Sequence, residues 1–309
     1  SSSSSGTASP NLHHVLVWAR RSYLQALETS YSLMDQVLGA GDSAEVQELI
    51  QELSQARRFL NDLFNIIKSL TLRYKTQRQK WDTQEAHMYK DLEKISLGRQ
   101  YVECGLWFAH NPINFDPDVL KHKVEIRRNR VIECARNSPT QWTVTLGSDS
   151  DAFDPSSASS SPPFSVSAKP FDPEASGLLQ IDHLLKSMAP EDQPVTTFEF
   201  PPTSSKALVD LCRHGESIFI GQKHQVIFYI LLDISEALAE DFATRMMMTT
   251  SEQDLVRGLH HVDANNYDAA MRYLNDTRVV AIMNDGVALH LLRTLNDAHA
   301  FPHALSLYR

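Results

Sequence analysis

Residues 44–74 read AEVQELIQELSQARRFLNDLFNIIKSLTLRY and carry a long, regular hydrophobic pattern. Apolar or small side chains recur at alternating spacings of three and four residues, which places them on one stripe of an α-helix. Asp42 precedes the pattern and Glu45 follows Asp42 by three positions, an arrangement typical of a helix N-terminus. The stripe consists of Val46, Leu49, Leu53, Ala56, Leu60, Leu63, Ile67, Leu70 and Tyr74.

A second stripe with the same spacing lies just before the first one, in residues 12–38. Gly39-Ala40-Gly41 separates the two, and glycine adopts the left-handed conformation that ends many helices. Two helices joined by so short a turn must lie antiparallel, so we predict a helical hairpin over 12–74. The second stripe consists of Leu12, Leu16, Ala19, Tyr23, Ala26, Ser30, Leu33 and Val37.

Beyond Tyr74 the pattern becomes polar, and two interpretations remain open. The helix either continues as an exposed rod to Gly98 or breaks near residues 76–82. A further helix is predicted from Asp118, and the alternation of residues 142–146 predicts one short strand. We place all these elements in one helical bundle that spans residues 12–146.

The helix that begins at Asp118 has a basic face. One interpretation is contact with the phosphate groups of RNA or of anionic lipid. The other is an ordinary solvated face that pairs with acidic residues nearby, which we favour because no aromatic residues or glycine-rich loop accompany the basic ones. The face consists of Lys121, Lys123, Arg127, Arg128 and Arg130, with Arg136 six residues further on.

Charge and composition change along the chain. The net charge of −9 combines 18 basic and 16 acidic residues in 1–146 with 11 basic and 22 acidic residues in 147–309. Residues 147–177 are rich in Ser, Pro and Asp, which predicts a disordered linker because few apolar groups are present to offset the entropy of ordering. The serine-rich residues 1–11 are also predicted to be disordered, and 178–309 to form a second helical domain.

The C-terminal domain contains an internal repeat from residue 250 onward. Ala264, Tyr267 and Ala270 recur as Ala298, Phe301 and Ala304, which is an offset of 34 residues, and Asp263 recurs as Asp297 in the same way. Small residues allow close helix approach, and the aromatic residue fills the groove between helices. We expect Tyr267 and Phe301 to be mostly buried.

This period and pattern resemble the tetratricopeptide-like α-solenoid family over residues 250–309. The usual glycine of that family is alanine in both copies here, and residues 276–293 match poorly. The resemblance implies stacked helix pairs whose terminal apolar face needs covering, by further chain or by a partner. The residues expected to form that face are Phe301, Ala304, Leu305 and Tyr308.

No catalytic or cofactor-binding pattern is found, and we expect no cofactor. The three cysteines lack metal-site spacing, and His299 and His303 lack the glutamate of a zinc protease motif. No apolar run approaches the roughly 20 residues of a membrane span, and residues 1–11 lack the basic and apolar regions expected of a signal peptide. The absence of an initial Met suggests a fragment or a processed form.

The sequence therefore predicts an all-α, non-catalytic scaffold or adaptor. We expect a soluble cytoplasmic or nuclear protein that binds protein partners in a larger complex through helical surfaces. The alternative is a membrane-trafficking or anionic-surface protein that uses the basic helix 118–136. A general nucleic-acid binder is not expected because the net charge is negative.

Overall fold

The computed structural model describes residues 12–39, 44–77, 83–113, 116–138, 142–146, 164–168, 177–187, 201–213 and 220–308. Thirteen α-helices and one antiparallel pair of short strands make up the secondary structure of these residues, which confirms the all-α class. The chain divides into two compact units, and each is discontinuous in sequence.

The first unit comprises residues 1–117 and 195–249. Its helices are α1 (Leu12–Gly39), α2 (Ala44–Gln77), α3 (Thr83–His110), α6 (Ser205–Arg213), α7 (Ile220–Ile234) and α8 (Glu236–Arg245). The second unit comprises residues 118–194 and 250–309. Its elements are α4 (Pro117–Asn137), β1 (Trp142–Leu146), β2 (Phe164–Ala168), α5 (Gln180–Ser187), α9 (Thr250–Asp263), α10 (Tyr267–Leu274), α11 (Thr277–Val280), α12 (Asp285–Asp297) and α13 (Phe301–Tyr308).

Helix α3 packs along α2 in the opposite direction. Arg57 Nη1 of α2 donates to Glu103 Oε1 at 3.1 Å, and Arg99 Nε donates to Asn61 Oδ1. As the numbers rise on one helix they fall on the other, so the two helices are antiparallel. The exposed rod expected as far as Gly98 is therefore wrong, because the apolar face of α3 is buried in the bundle.

Helix α3 also packs against α1, in the same direction. An added Cβ on Gly98 would lie 2.2 Å from Leu27 Cδ2, and one on Gly105 would lie 2.5 Å from Met34 Cε. These glycines allow the two backbones to approach closely. The three helices thus alternate in direction. The turn expected at Gly39-Ala40-Gly41 and the break expected near 76–82 both lie partly outside the described residues, so the hairpin connection stays a prediction.

The heptad stripes lie in the core of this bundle. Leu53, Leu60 and Ile67 of α2 are 0% exposed, as is Ala19 of α1. Helix α6 packs against α1 and α3. Residues 224–231 of α7 are buried, and the Ser235 hydroxyl caps α8 by accepting from Leu238 N at 3.4 Å. That cap separates α7 from α8.

The second unit brings together segments that are distant in sequence. Arg128 of α4 pairs with Asp182 of α5, with Nη2 2.5 Å from Oδ1, and Ser138 hydrogen-bonds Asp297. The predicted domains 12–146, 147–177 and 178–309 do not coincide with the two units, because these contacts hold α4 to the C-terminal helices. Strand β2 lies inside the predicted linker and pairs with β1, with Val144 opposite Val166.

Candidate protein-interaction site

The turn between α9 and α10 recurs between α12 and α13. Asn265 and His299 both adopt the left-handed conformation, with φ of 62° and 57°. Asn266 N donates to His261 O at 2.8 Å, and Ala300 N donates to Leu295 O at 2.8 Å. This 6→1 bond with a left-handed residue is the Schellman motif that ends a helix. Equivalent residues are 34 positions apart, so the sequence offset corresponds to a repeated backbone structure.

The second helices of the two pairs, α10 and α13, lie side by side. His303 Nε2 lies 2.8 Å from Asp268 Oδ1, the Tyr267 and His303 ring centroids are 5.9 Å apart, and Asn275 Nδ2 donates to Ser306 Oγ at 2.5 Å. Burial raises the pKa of Tyr267 to about 12. Helix α13 therefore covers part of α10.

Phe301 does not share the burial of Tyr267. Its side chain is 50% exposed, and Ala304 is partly exposed where the equivalent Ala270 is fully buried. The expectation that both aromatic residues are mostly buried is wrong for Phe301. The reason is positional, since α10 has α13 as a neighbour and α13 has no third helix pair beside it among the described residues.

The first helices of the two pairs bury different positions. Leu255 and Leu259 of α9 are 4% and 1% exposed, whereas the equivalent positions of α12 are Leu289, which is 39% exposed, and Arg293. Stacked repeats bury equivalent faces. The backbone turn is thus repeated, but the surroundings of the first helices are not.

Helix α5 is hydrogen-bonded to both first helices. Gln180 N donates to Asp263 Oδ1 at 2.9 Å, and Ile181 N donates to Asp263 Oδ2 at 3.4 Å. The side-chain Nε2 of Gln180 donates to Thr294 Oγ1 at 2.9 Å. The α9 carboxylate therefore caps the start of α5, and α5 in turn is hydrogen-bonded to α12.

Two histidines lie face to face where α5 meets α12. The rings of His183 and His290 stack with centroids 4.9 Å apart, and His290 Nε2 lies 3.1 Å from Leu178 O. Burial, reinforced by the neighbouring His183, lowers the pKa of His290 to about 4. This histidine is therefore neutral near pH 7. Burial also raises the pKa of Asp297 at the end of α12.

The terminal face predicted for partner binding lies on α13. Phe301 is 50% exposed and Leu305 is 57% exposed, one turn apart, with the partly exposed Ala304 between them. The side chain of Tyr308 lies outside the described residues. Sequence reasoning missed Val280 and Ile282, which are 50% and 44% exposed. Their apolar run near α11 was the available signal.

The basic residues of helix α4 differ in exposure and in the contacts they make. Lys121, Lys123 and Arg130 are exposed, whereas Arg127 and Arg128 are half-buried. Arg128 forms a bidentate pair with Asp182 and so holds α4 to α5. This residue fits the interpretation of a face that pairs with nearby acids. Contact of the other four with phosphate groups stays a prediction.

Two further properties concern ligands and membranes. Within the described ranges, no group of three or more His, Cys, Asp or Glu side chains is arranged to hold a metal ion. None of the described helices is long and apolar enough to cross a membrane.

These features define a class of protein, a helical chain whose C-terminal part contains two successive helix pairs joined by the same type of turn. Residues 178–309, which run from just before α5 to the C-terminal end of α13, match the model of a family described as ELYS: Nuclear pore complex assembly. The match covers less than half of the chain and extends over parts of both compact units. No curated protein matches the chain.

Proposed function

We propose that this chain is a non-catalytic scaffold subunit of a multiprotein assembly and acts in nuclear pore assembly. The observation that carries the proposal is the match of residues 178–309 to a family described by that role. The matched segment consists of packed helices and repeated turns, which create extended surfaces for other proteins. A nuclear location at the pore is the corresponding expectation.

We propose further that α9–α13 form two units of an irregular α-solenoid and that α13 contacts a protein partner. The 34-residue recurrence of the Schellman turn supports the repeat. The adjacent exposure of Phe301 and Leu305 supports the contact, because exposed apolar patches commonly mark protein interfaces. Burial of an aromatic anchor such as Phe301 supplies much of the free energy of such interfaces.

The test is to express the full chain with a fluorescent tag in cells and to identify copurifying proteins by mass spectrometry. We expect fluorescence at the nuclear rim and recovery of nuclear pore subunits. The double variant Phe301→Ser and Leu305→Ser should lose at least about 80% of that recovery, since two apolar anchors are removed. Its folding is checked by circular dichroism.

The matched control is the double variant Val17→Ser and Leu24→Ser, which alters two exposed apolar residues of α1, 41% and 58% exposed. It should recover the same subunits as the wild-type chain. A wild-type chain that is diffuse in the cell and copurifies with no nuclear pore subunit would contradict the proposed function. Equal loss in both double variants would contradict the role of α13.

A further inference from the structure

An open groove of about 580 Å³ runs between α1 and α2. Its floor is made of small side chains, including Ser22, Ala26 and Ala56. Phe59 forms part of one wall and is 43% exposed. Among the described residues, only α1 and α2 line the groove. Small residues at the base of a helix–helix groove leave room for the side chains of a third helix.

The wall formed by α2 is acidic. Glu48, Glu52, Gln55, Phe59, Asp62 and Ile66 recur at spacings of four and three, which places them on one stripe of α2. Its three charged members, Glu48, Glu52 and Asp62, are all exposed. The stripe therefore combines three carboxylates with the apolar Phe59 and Ile66.

The wall formed by α1 carries no charge. Its stripe contains Trp18, Ser22, Gln25, Thr29 and Leu33, and Trp18 is 51% exposed. The nearest arginines on the two helices, Arg21 and Arg58, flank the stripes, since each lies three or four residues from two stripe members, but neither lines the groove. Of the described residues that line the groove, Glu52 is the charged one, so the groove itself presents negative charge. The exposed aromatic residues are Phe59 in the lining and Trp18 at the end of the α1 stripe.

The bundle already shows how such a groove is filled. On another side, helix α6 packs against α1 and α3, with Lys206 Nζ 3.4 Å from Asp35 Oδ1. There an apolar helix face lies between two bundle helices and a lysine pairs with an acid of α1. The α1–α2 groove presents the same combination of apolar surface and carboxylates.

We propose that the α1–α2 groove binds an amphipathic helix of a partner protein whose polar face is rich in Lys and Arg. The apolar face of that helix packs on Ala26 and Ala56 and between Trp18 and Phe59. Its basic residues pair with Glu48, Glu52 and Asp62. The stripe from Glu48 to Ile66 is about 27 Å long, the length of a helix of about 18 residues. The groove lies wholly outside residues 178–309, so failure of the nuclear pore assignment leaves this site untouched.

The test uses the full chain and two synthetic helical peptides of about 20 residues, each labelled with fluorescein. One carries leucine at the a and d positions of each heptad and lysine at the remaining polar positions, and the other carries glutamate instead of lysine. Fluorescence anisotropy should show the lysine peptide binding at least about tenfold more tightly. Its affinity should fall as salt rises, because exposed ion pairs are screened.

Two pairs of variants locate the binding. Phe59→Ala should weaken binding of the lysine peptide at least about fivefold, whereas Leu72→Ala, which removes a 57% exposed side chain elsewhere on α2, should not. The triple variant Glu48→Gln, Glu52→Gln and Asp62→Asn should remove most of the preference for lysine over glutamate. Its control changes three exposed carboxylates outside the groove, Glu93→Gln, Glu125→Gln and Glu133→Gln, and should retain the preference.

Several outcomes would overturn the proposal. These are no binding of the lysine peptide, equal affinity for both peptides, and equal effects of the groove variants and their controls. A fourth is self-association, in which light scattering finds a dimer of the wild-type chain that Phe59→Ala dissociates. The groove would then be an interface between two copies of this chain. Circular dichroism of each variant shows whether the bundle remains folded.

Discussion

The two helix pairs α9–α10 and α12–α13 share one backbone turn but differ in what surrounds them. In the first pair Ala270 is fully buried, Tyr267 is half-buried, and Val256 is buried in α9. In the second pair Phe301, the equivalent of Tyr267, is more exposed, at 50%. The equivalent of Val256 is His290, whose ring stacks on His183. A local sequence pattern thus sets the turn, whereas neighbours from elsewhere in the chain set the energetic role of each position.

The largest expected difference in the free energy of unfolding between matched substitutions concerns the equivalent aspartates Asp263 and Asp297. Asp263→Asn should lower the free energy of unfolding by about 3 kcal/mol, because each carboxylate oxygen accepts from a separate backbone N–H of α5 and an amide can satisfy only one. Urea unfolding monitored by circular dichroism measures the change.

Asp297→Asn is the matched substitution and should cost less than about 1 kcal/mol. Burial already disfavours the charged form of Asp297 and raises its pKa, so loss of the charge removes little. If Asp263→Asn and Asp297→Asn lower the free energy of unfolding equally, the capping of α5 by Asp263 does not distinguish the first helix pair from the second.

The next difference is the pH dependence that His290 introduces. Its pKa of about 4 lies below the ordinary value of about 6.5, so the unfolded chain takes up the proton first as pH falls. Above about pH 6.5 His290 is neutral in both states, and its protonation does not lower the free energy of unfolding. As pH falls from about 6.5 toward 4, protonation of the unfolded chain lowers that free energy progressively. The loss between pH 7 and 4.5 should be about 2 kcal/mol.

His290→Val installs the residue of the first pair and should flatten the pH dependence of the melting temperature over that range. His122→Gln, which alters an exposed histidine of α4, is the control and should leave the dependence unchanged. The raised pKa of Asp297 acts in the opposite direction, but it is common to all three proteins. A wild-type slope that persists in His290→Val would contradict this assignment.

A smaller difference is expected for the equivalent alanines. Ala270→Leu should cost about 1–2 kcal/mol, because Ala270 is 0% exposed and a larger side chain overpacks its surroundings. Ala304→Leu should change stability by less than about 0.5 kcal/mol, since Ala304 is partly exposed. Thermal melts of the two variants give the comparison, and similar costs would mean that α13 is as enclosed as α10.

The smallest difference between matched substitutions is expected at the aromatic position. Phe301→Ala should lower the free energy of unfolding by about 1 kcal/mol, because only half of the side chain is withdrawn from solvent. Tyr267→Ala should cost more than about 1.5 kcal/mol, since that ring is more buried than Phe301 and contacts His303. A large cost for Phe301→Ala would indicate that this ring packs on the folded chain.

Local patterns in the sequence predicted the local features well. The heptad stripe of α2 placed Leu53 and Leu60 in the core, where both are 0% exposed. The 34-residue offset of Ala264, Tyr267 and Ala270 from their second copies corresponds to two helix pairs whose turns share the same backbone hydrogen bonds. The burial expected for Phe301 was wrong, because the sequence pattern does not show that α13 has no further helix beside it among the described residues.

Features that join distant segments were not predictable in the same way. The return of α3 depends on Gly98 and Gly105 facing Leu27 and Met34, and no periodicity within α3 reveals that pairing. The α1–α2 groove was also missed, since a stripe such as Glu48, Glu52 and Phe59 reads as an ordinary solvated face until its neighbours are known.

The sequence alone determined that this protein is helical, where its heptad stripes lie, and that a pattern of small and aromatic residues recurs at an offset of 34 residues. Those properties depend on spacings of a few residues, which hydrophobic periodicity records directly. Only the tertiary structure decided that α4 belongs with the C-terminal helices and that α5 joins α9 to α12. Those decisions rest on single contacts such as Arg128 with Asp182 and Gln180 with Asp263, between residues far apart in the chain whose pairing no local pattern specifies.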